Sequence, residues 1–172
     1  MNIVAILSAE PWLSGHEEYI KIGKALLDLH INYESVNPYR LEETFSIAAP
    51  SEESLRYRAV DMKHPGLKSG KRGKADWDRS KIVVNQYLTL ENIPPEASEW
   101  ILGPRPALEL FIERMRSSTD KKSGIKNDPN EFSDDPKYVV ELTKKVVRVC
   151  VETQRLRNEL PEYQELTKDH DG

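Results

Sequence analysis

Nine cations fall within one short stretch of this chain: Arg56, Arg58, Lys63, Lys68, Lys71, Arg72, Lys74, Arg79 and Lys81. Only Asp61, Asp76 and Asp78 oppose them there, so nine less three leaves a local charge of +6. The other 16 basic and 26 acidic residues leave −10 on the remainder. Clustered Lys and Arg, with glycines that let the backbone come close, are suited to phosphate contacts, and the interleaved Tyr57 and Trp77 can stack or anchor. The same stretch equally fits a solvated loop whose cations balance an acidic protein. Composition leaves both readings open.

Other patterns that could carry chemistry fall short on spacing. Gly66-Leu67-Lys68-Ser69-Gly70-Lys71 resembles a phosphate loop, but three residues separate its glycines where four are needed, and Arg72 stands where a Ser or Thr would hold magnesium. His16, His30, His64 and His170 are far apart and have no Cys at metal-ligand spacing. Cys150 lies on an apolar helical stripe, where a thiol behaves as a small hydrophobe. Asn37-Pro38-Tyr39 lacks the second proline of the base-gripping loop of amino-methyltransferases and reads as a turn. Asp61-Met62-Lys63 matches the acid-x-lysine element of magnesium nucleases, but three residues are a weak match, and a second acid would have to come from Glu52 or Glu53. No catalytic group, metal or cofactor is therefore assigned.

These residues sit in 172 positions, the length of a single domain, with a net charge of −4 and 38% hydrophobic residues. No apolar run nears the roughly 20 residues of a membrane span, and the N-terminus lacks a secretory leader pattern. One cysteine excludes an intrachain disulfide and makes a reducing cytoplasm the expected setting.

The elements expected to hold the cations form an α+β fold. A helix over 15–30 follows from a Ser14–Glu17 capping box and from Tyr19, Ile22, Ala25, Leu26 and Leu29 at helical spacing. Residues 40–55 show no period. A small antiparallel sheet of about three strands is expected within 56–91. Its first strand would be Arg56 to Met62, and its last two would turn at Asn85-Gln86. Glu96 to Leu102 reads as a short helix, and Ala107, Leu108, Phe111, Ile112 and Met115 line another. Residues 117–135 read as a long ordered loop. Asp135-Pro136 opens the longest helix, about 136–160, with Val139, Leu142, Val146, Val149, Cys150, Thr153, Leu156 and Leu160 on one stripe. The whole is one domain with a mixed part over 15–93, a helical part over 94–161 and a loose tail over 162–172.

The run Thr119-Asp120-Lys121-Lys122-Ser123-Gly124-Ile125-Lys126-Asn127-Asp128-Pro129-Asn130 closely resembles a segment near the C-terminus of type ISP single-polypeptide restriction–modification enzymes. The resemblance extends over about 15–160, through Leu29-His30-Ile31-Asn32-Tyr33-Glu34, Ala107-Leu108-Glu109, and Val149-Cys150-Val151-Glu152-Thr153. Met115 and Cys150 depart from it, as do residues 1–14. It implies a non-catalytic target-recognition domain, with nuclease, helicase and methyltransferase modules on the same polypeptide or a partner subunit, and duplex DNA as ligand. Under it, Arg56, Arg58, Lys68, Lys71, Arg72 and Lys74 are expected phosphate contacts, Lys121 is an expected DNA contact, and Lys122 or Asn127 are expected readers of base edges; the alternative for the 119–130 loop is structural, with Asp120 and Asn127 bonding the backbone between two helices. The alternative is a docking module for a methyltransferase or helicase subunit that uses the 136–160 helix.

Overall fold

The computed structural model describes residues 16–66 and 77–161. Ser14, the tail over 162–172 and the expected contacts Lys68, Lys71, Arg72 and Lys74 lie outside these residues.

Helix α1 (His16–Ile31) forms where its period placed it. Of the expected face, Ile22 is buried and Leu26 and Leu29 are half-buried, because α1 flanks the core and lies along α4 (Tyr138–Asn158). Two polar contacts fix it there. The Tyr19 hydroxyl donates to the Pro161 carbonyl at 2.6 Å, and His30 Nε2 lies 2.8 Å from Thr153 Oγ1. The His30 ring also stacks on Trp100, with centroids 4.7 Å apart.

The sheet has three antiparallel strands in the order β1–β3–β2: β1 (Glu42–Phe45), β2 (Ile82–Val83) and β3 (Leu88–Glu91). The turn at Asn85-Gln86 is where it was expected. Asn85 Oδ1 accepts the backbone N–H groups of Tyr87 at 2.7 Å and Leu88 at 2.9 Å, an arrangement that favours Asn at such turns. Alternation buries Leu88 and Leu90 on one face of β3.

The first strand is not the expected one. It comes from 42–45, inside the stretch without a period, whereas residues 56–62 form no strand of the sheet. Residues 53–56 make a single helical turn, α2 (Glu53–Arg56), and only Lys63 bridges to Val83. The weak alternation in 56–62 nevertheless has a cause, since Tyr57 and Ala59 are buried two positions apart. Two asparagine side chains take the place of a neighbouring strand. Asn85 Nδ2 donates to the carbonyls of Arg56 at 3.1 Å and Arg58 at 2.8 Å. Asn130 accepts from the Ala59 N–H and donates to its carbonyl, both at 2.8 Å.

Farther along, the expected helix over 96–102 is instead a 3-10 turn (Pro95–Ser98) and the strand β4 (Ile101–Leu102), which pairs with β5 (Arg105–Pro106) around Gly103-Pro104. Gly103 has φ +62° there, a conformation costly for other residues and one that ends a helix. Helix α3 (Ala107–Arg114) buries Leu108 and Ile112 as its period required. The 117–135 loop contains a hairpin, β6 (Ser118–Thr119) with β7 (Lys126–Asn127), and a 3-10 turn at Pro129–Glu131.

Helix α4 starts at Tyr138, two residues later than Asp135-Pro136 suggested, though Asp135 Oδ1 does accept the Lys137 N–H at 2.9 Å. It buries Val140, Thr143 and Val147 in addition to most of the expected stripe. The wider face reflects its place between α1 and the α3 and sheet side. Cys150 is wholly buried there, and burial pushes its thiol up to about 12. A thiol reagent at pH 8 should leave the folded chain unlabelled and react once denaturant is added; rapid native labelling would contradict this burial. Among the described residues, no helix is long and apolar enough to cross a membrane.

Candidate nucleic-acid interface

The β6–β7 hairpin is short but closely held. At its tip, Asp120 Oδ1 accepts the N–H groups of Lys122 at 3.0 Å and Ser123 at 2.7 Å, and the Ser123 hydroxyl at 2.8 Å. These bonds, the Ser123 N–H foremost, hold the Asp120 carboxyl below its ordinary range. Gly124 closes the turn at φ +71°, and the Asp120 N–H donates to the Ile125 carbonyl at 2.9 Å. Lys121 and Lys122 are left exposed at the tip, as is Ile125, which is 69% accessible.

The base of the hairpin is fastened to the core by Asp128. This buried carboxylate accepts Arg58 Nη2 at 2.5 Å, Lys126 Nζ at 3.0 Å, Ser117 Oγ at 3.1 Å, and both the side chain and backbone N–H of Asn130, at 2.6 and 3.2 Å. Burial works against the charge, but the bonds from Asn130, Lys126 and Ser117 outweigh it and hold the carboxyl far below the usual carboxylate range. Asn130 then binds both backbone groups of Ala59, so the hairpin and the 56–59 segment are locked together. Asp128, Ser117 and Asn130 escaped the sequence reading. The signal available was Asp128-Pro129-Asn130 itself, an N-cap with proline at the first position.

The expected contact residues are distributed as follows. Lys121, Lys122 and Asn127 lie together on the hairpin, and Asp128 ties Arg58 to its base. Asn127 Nδ2 donates toward the carbonyls of Arg114 at 3.4 Å and Arg116 at 3.3 Å, so its amide braces the hairpin against the end of α3. Arg56 lies elsewhere, its guanidinium 3.9 Å from the Phe45 ring centroid.

Of the five described cations of the basic segment, four are matched by acids: Arg58 with Asp128, Lys63 with Asp61, Arg79 with Glu109, and Lys81 with Glu91. Among the described residues, three of these pairs bring in acids from outside the segment, so part of the charge contrast along the sequence is neutralised in space. Asp61 is closed off as well, held by both Lys63 and Arg116, and its carboxyl is lowered chiefly by the Lys63 bond. Among the described residues, no group of three His, Cys, Asp or Glu side chains is arranged to hold a metal ion.

Comparison with known proteins identifies this arrangement. Residues 11–142 match the family described as the Type ISP C-terminal specificity domain. The chain belongs to that family. This specificity domain is similar in structure to part of the ATP-dependent Type ISP restriction-modification enzyme LlaBIII, solved bound to DNA, with 42% identity, a TM-score of 0.69, and coverage of 86% of this chain and 9% of that one. It is also similar to a nuclease-deletion mutant of the Type ISP enzyme LlaGI, solved with a DNA substrate mimic (40% identity, TM-score 0.68, covering 86% and 13%). A third structure, a DrdV–DNA complex, is 29% identical with a TM-score of 0.62, covering 84% and 14%. The chain thus spans well under a fifth of the length of these structures. No curated protein matches it.

Proposed function

We propose that this specificity domain binds duplex DNA and places a β-ribbon, the 118–127 hairpin, in the major groove, while methylation and cleavage are carried out by other modules of a restriction–modification enzyme. The observation that carries the reading is the hairpin: a rigid two-stranded ribbon with exposed Lys121 and Lys122 at its tip and a base pinned by Asp128. A ribbon of two strands is among the elements that B-DNA's major groove admits. Support also comes from the LlaBIII, LlaGI and DrdV structures, each a complex with DNA or a DNA mimic. Arg56, Arg58, Lys68, Lys71, Arg72 and Lys74 supply phosphate contacts in this reading. Arg58 does so from within its pair with Asp128, with its side chain 44% exposed.

The test is a fluorescence-anisotropy titration of labelled duplex at several salt concentrations. Lys121→Ala should weaken binding to all duplexes about equally and lower the slope of log K against log salt by about 1, as for one lost phosphate contact, whereas Lys122→Ala should narrow the difference in affinity between unrelated sequences. No binding of any duplex at low salt would overturn the reading and favour docking on another module. Helix α4 is poorly placed for docking, since its apolar stripe is already covered within this chain.

A further inference from the structure

Beside the hairpin lies a cleft of about 170 Å³, bordered by Met62, His64, Trp77, Arg105, Glu109 and Arg116. Its rim charges are matched: Arg105 pairs with Glu113 at 2.6 Å, Arg116 with Asp61, and Arg79 with Glu109 at 2.9 Å. On its wall, one polar atom has no partner. His64 is 97% buried, and its Nδ1 lies 2.7 Å from the Lys81 carbonyl. A carbonyl only accepts, so Nδ1 carries the proton and the neutral ring leaves a lone pair on Nε2. Among the described residues, that buried Nε2 has no hydrogen-bond partner. A buried acceptor left unmet is costly, and an exception of this kind in a folded protein calls for an occupant.

The walls indicate what that occupant is. The Trp77 indole lies over His64, with centroids 6.3 Å apart and planes tilted by 33°, too open for a stacked pair. The Arg79 guanidinium lies 5.7 Å from the Trp77 ring centroid. A ligand here must be flat, donate an N–H to Nε2, and tolerate surrounding guanidinium groups. We propose that the cleft binds a single unstacked nucleobase, whose amino edge donates to His64 Nε2 and whose face stacks on Trp77. Trp77 moves outward to admit it. The proposal rests on the DNA-binding reading for the source of the base, but the cleft can be tested separately.

The full chain, labelled with ¹⁵N at histidine, would be titrated with deoxyadenosine monophosphate, deoxycytidine monophosphate and, as a probe without a base, deoxyribose 5-phosphate. The nucleotides should shift the His64 Nε2 resonance and the sugar phosphate should not. Trp77→Ala should weaken nucleotide binding by about tenfold, in line with loss of one base–aromatic stack. Because His64→Leu can disturb the fold, the rim variant Trp77→Ala carries the test, with circular dichroism confirming its fold. An unshifted His64, or an equal shift with the sugar phosphate, would overturn the proposal. A second arm compares a paired duplex with one carrying a single-nucleotide bulge; the bulge should bind more tightly to the native chain and lose that advantage in Trp77→Ala. A His64 shift with nucleotide but no binding of either duplex would uphold the cleft and remove the duplex reading. Equal binding of both duplexes with His64 unshifted would do the reverse.

Discussion

Replacing Lys68, Lys71, Arg72 and Lys74 together with alanine should lower affinity for any duplex by about a hundredfold at moderate salt. It should also flatten the dependence of log K on log salt by about 3.6, at about 0.9 per phosphate contact. The basic segment carries nine cations, and four of the five described ones are held by Asp128, Asp61, Glu109 and Glu91. A cation already paired gains less from a phosphate, because it must first give up a carboxylate. In the DNA-binding reading these four positions are expected phosphate contacts alongside the hairpin lysines. The loss should be the same for unrelated sequences, since phosphates carry no base identity. Anisotropy titrations of native and quadruple-variant chains at four or five salt concentrations give both quantities. An unchanged slope would remove this segment from the interface.

The second large effect concerns stability. Asp128→Ala should destabilise the chain by about 3 kcal/mol, because it leaves two cations and the donors of Ser117 and Asn130 without their acceptor. The estimate stays at the lower end for a buried ionic group, since Arg58 and Lys126 are 44% and 56% exposed and can return to water. For a domain of this size that corresponds to a fall in Tm of about 10 °C. Its pH dependence has a definite sign. The folded carboxyl is depressed below the ordinary 3.8, so its stabilisation is complete above that value and is lost only as pH falls toward the depressed one. Melts of native and Asp128→Asn chains should differ by a constant amount from pH 8 to 5 and converge in strong acid. Convergence already near neutral pH would contradict the geometry.

Where the sequence was informative, one side chain or one period sufficed. The α4 stripe and the Asn85 turn are local: a 3.6-residue repeat and an asparagine that bonds its own backbone. The misplaced strand was not local. Glu42–Phe45 is too short to show a convincing alternation, and it becomes a strand because β3, more than forty positions later, offers it an edge. Residues 56–62 had the opposite problem, since they alternate like a strand but have the Arg56 and Arg58 carbonyls met by Asn85 and both backbone groups of Ala59 met by Asn130. Of the expected DNA contacts, Lys121, Lys122 and Asn127 came from the family resemblance, and the structure groups them on one hairpin. Asp128 was not marked out, because a buried carboxylate cannot be told from a solvated one in a segment rich in acids. The same blindness leaves +6 over 56–81 compatible both with a charged surface and with cations matched by distant acids.

The link between Asp128 and Arg58 spans 70 positions of chain. Closing a loop of that length carries an entropic cost on the order of 4 kcal/mol, met only when the rest of the core has collapsed around it. The hairpin's fixed orientation is therefore acquired late in folding and depends on distant sequence. A synthetic peptide covering 114–131 would contain both tip lysines yet lack Arg58 and Ala59, on which Asp128 and Asn130 fasten the hairpin, and it would be expected to bind DNA without discrimination. Transplanting this reading element into another protein would require carrying residues 56–59 and Asn85 with it.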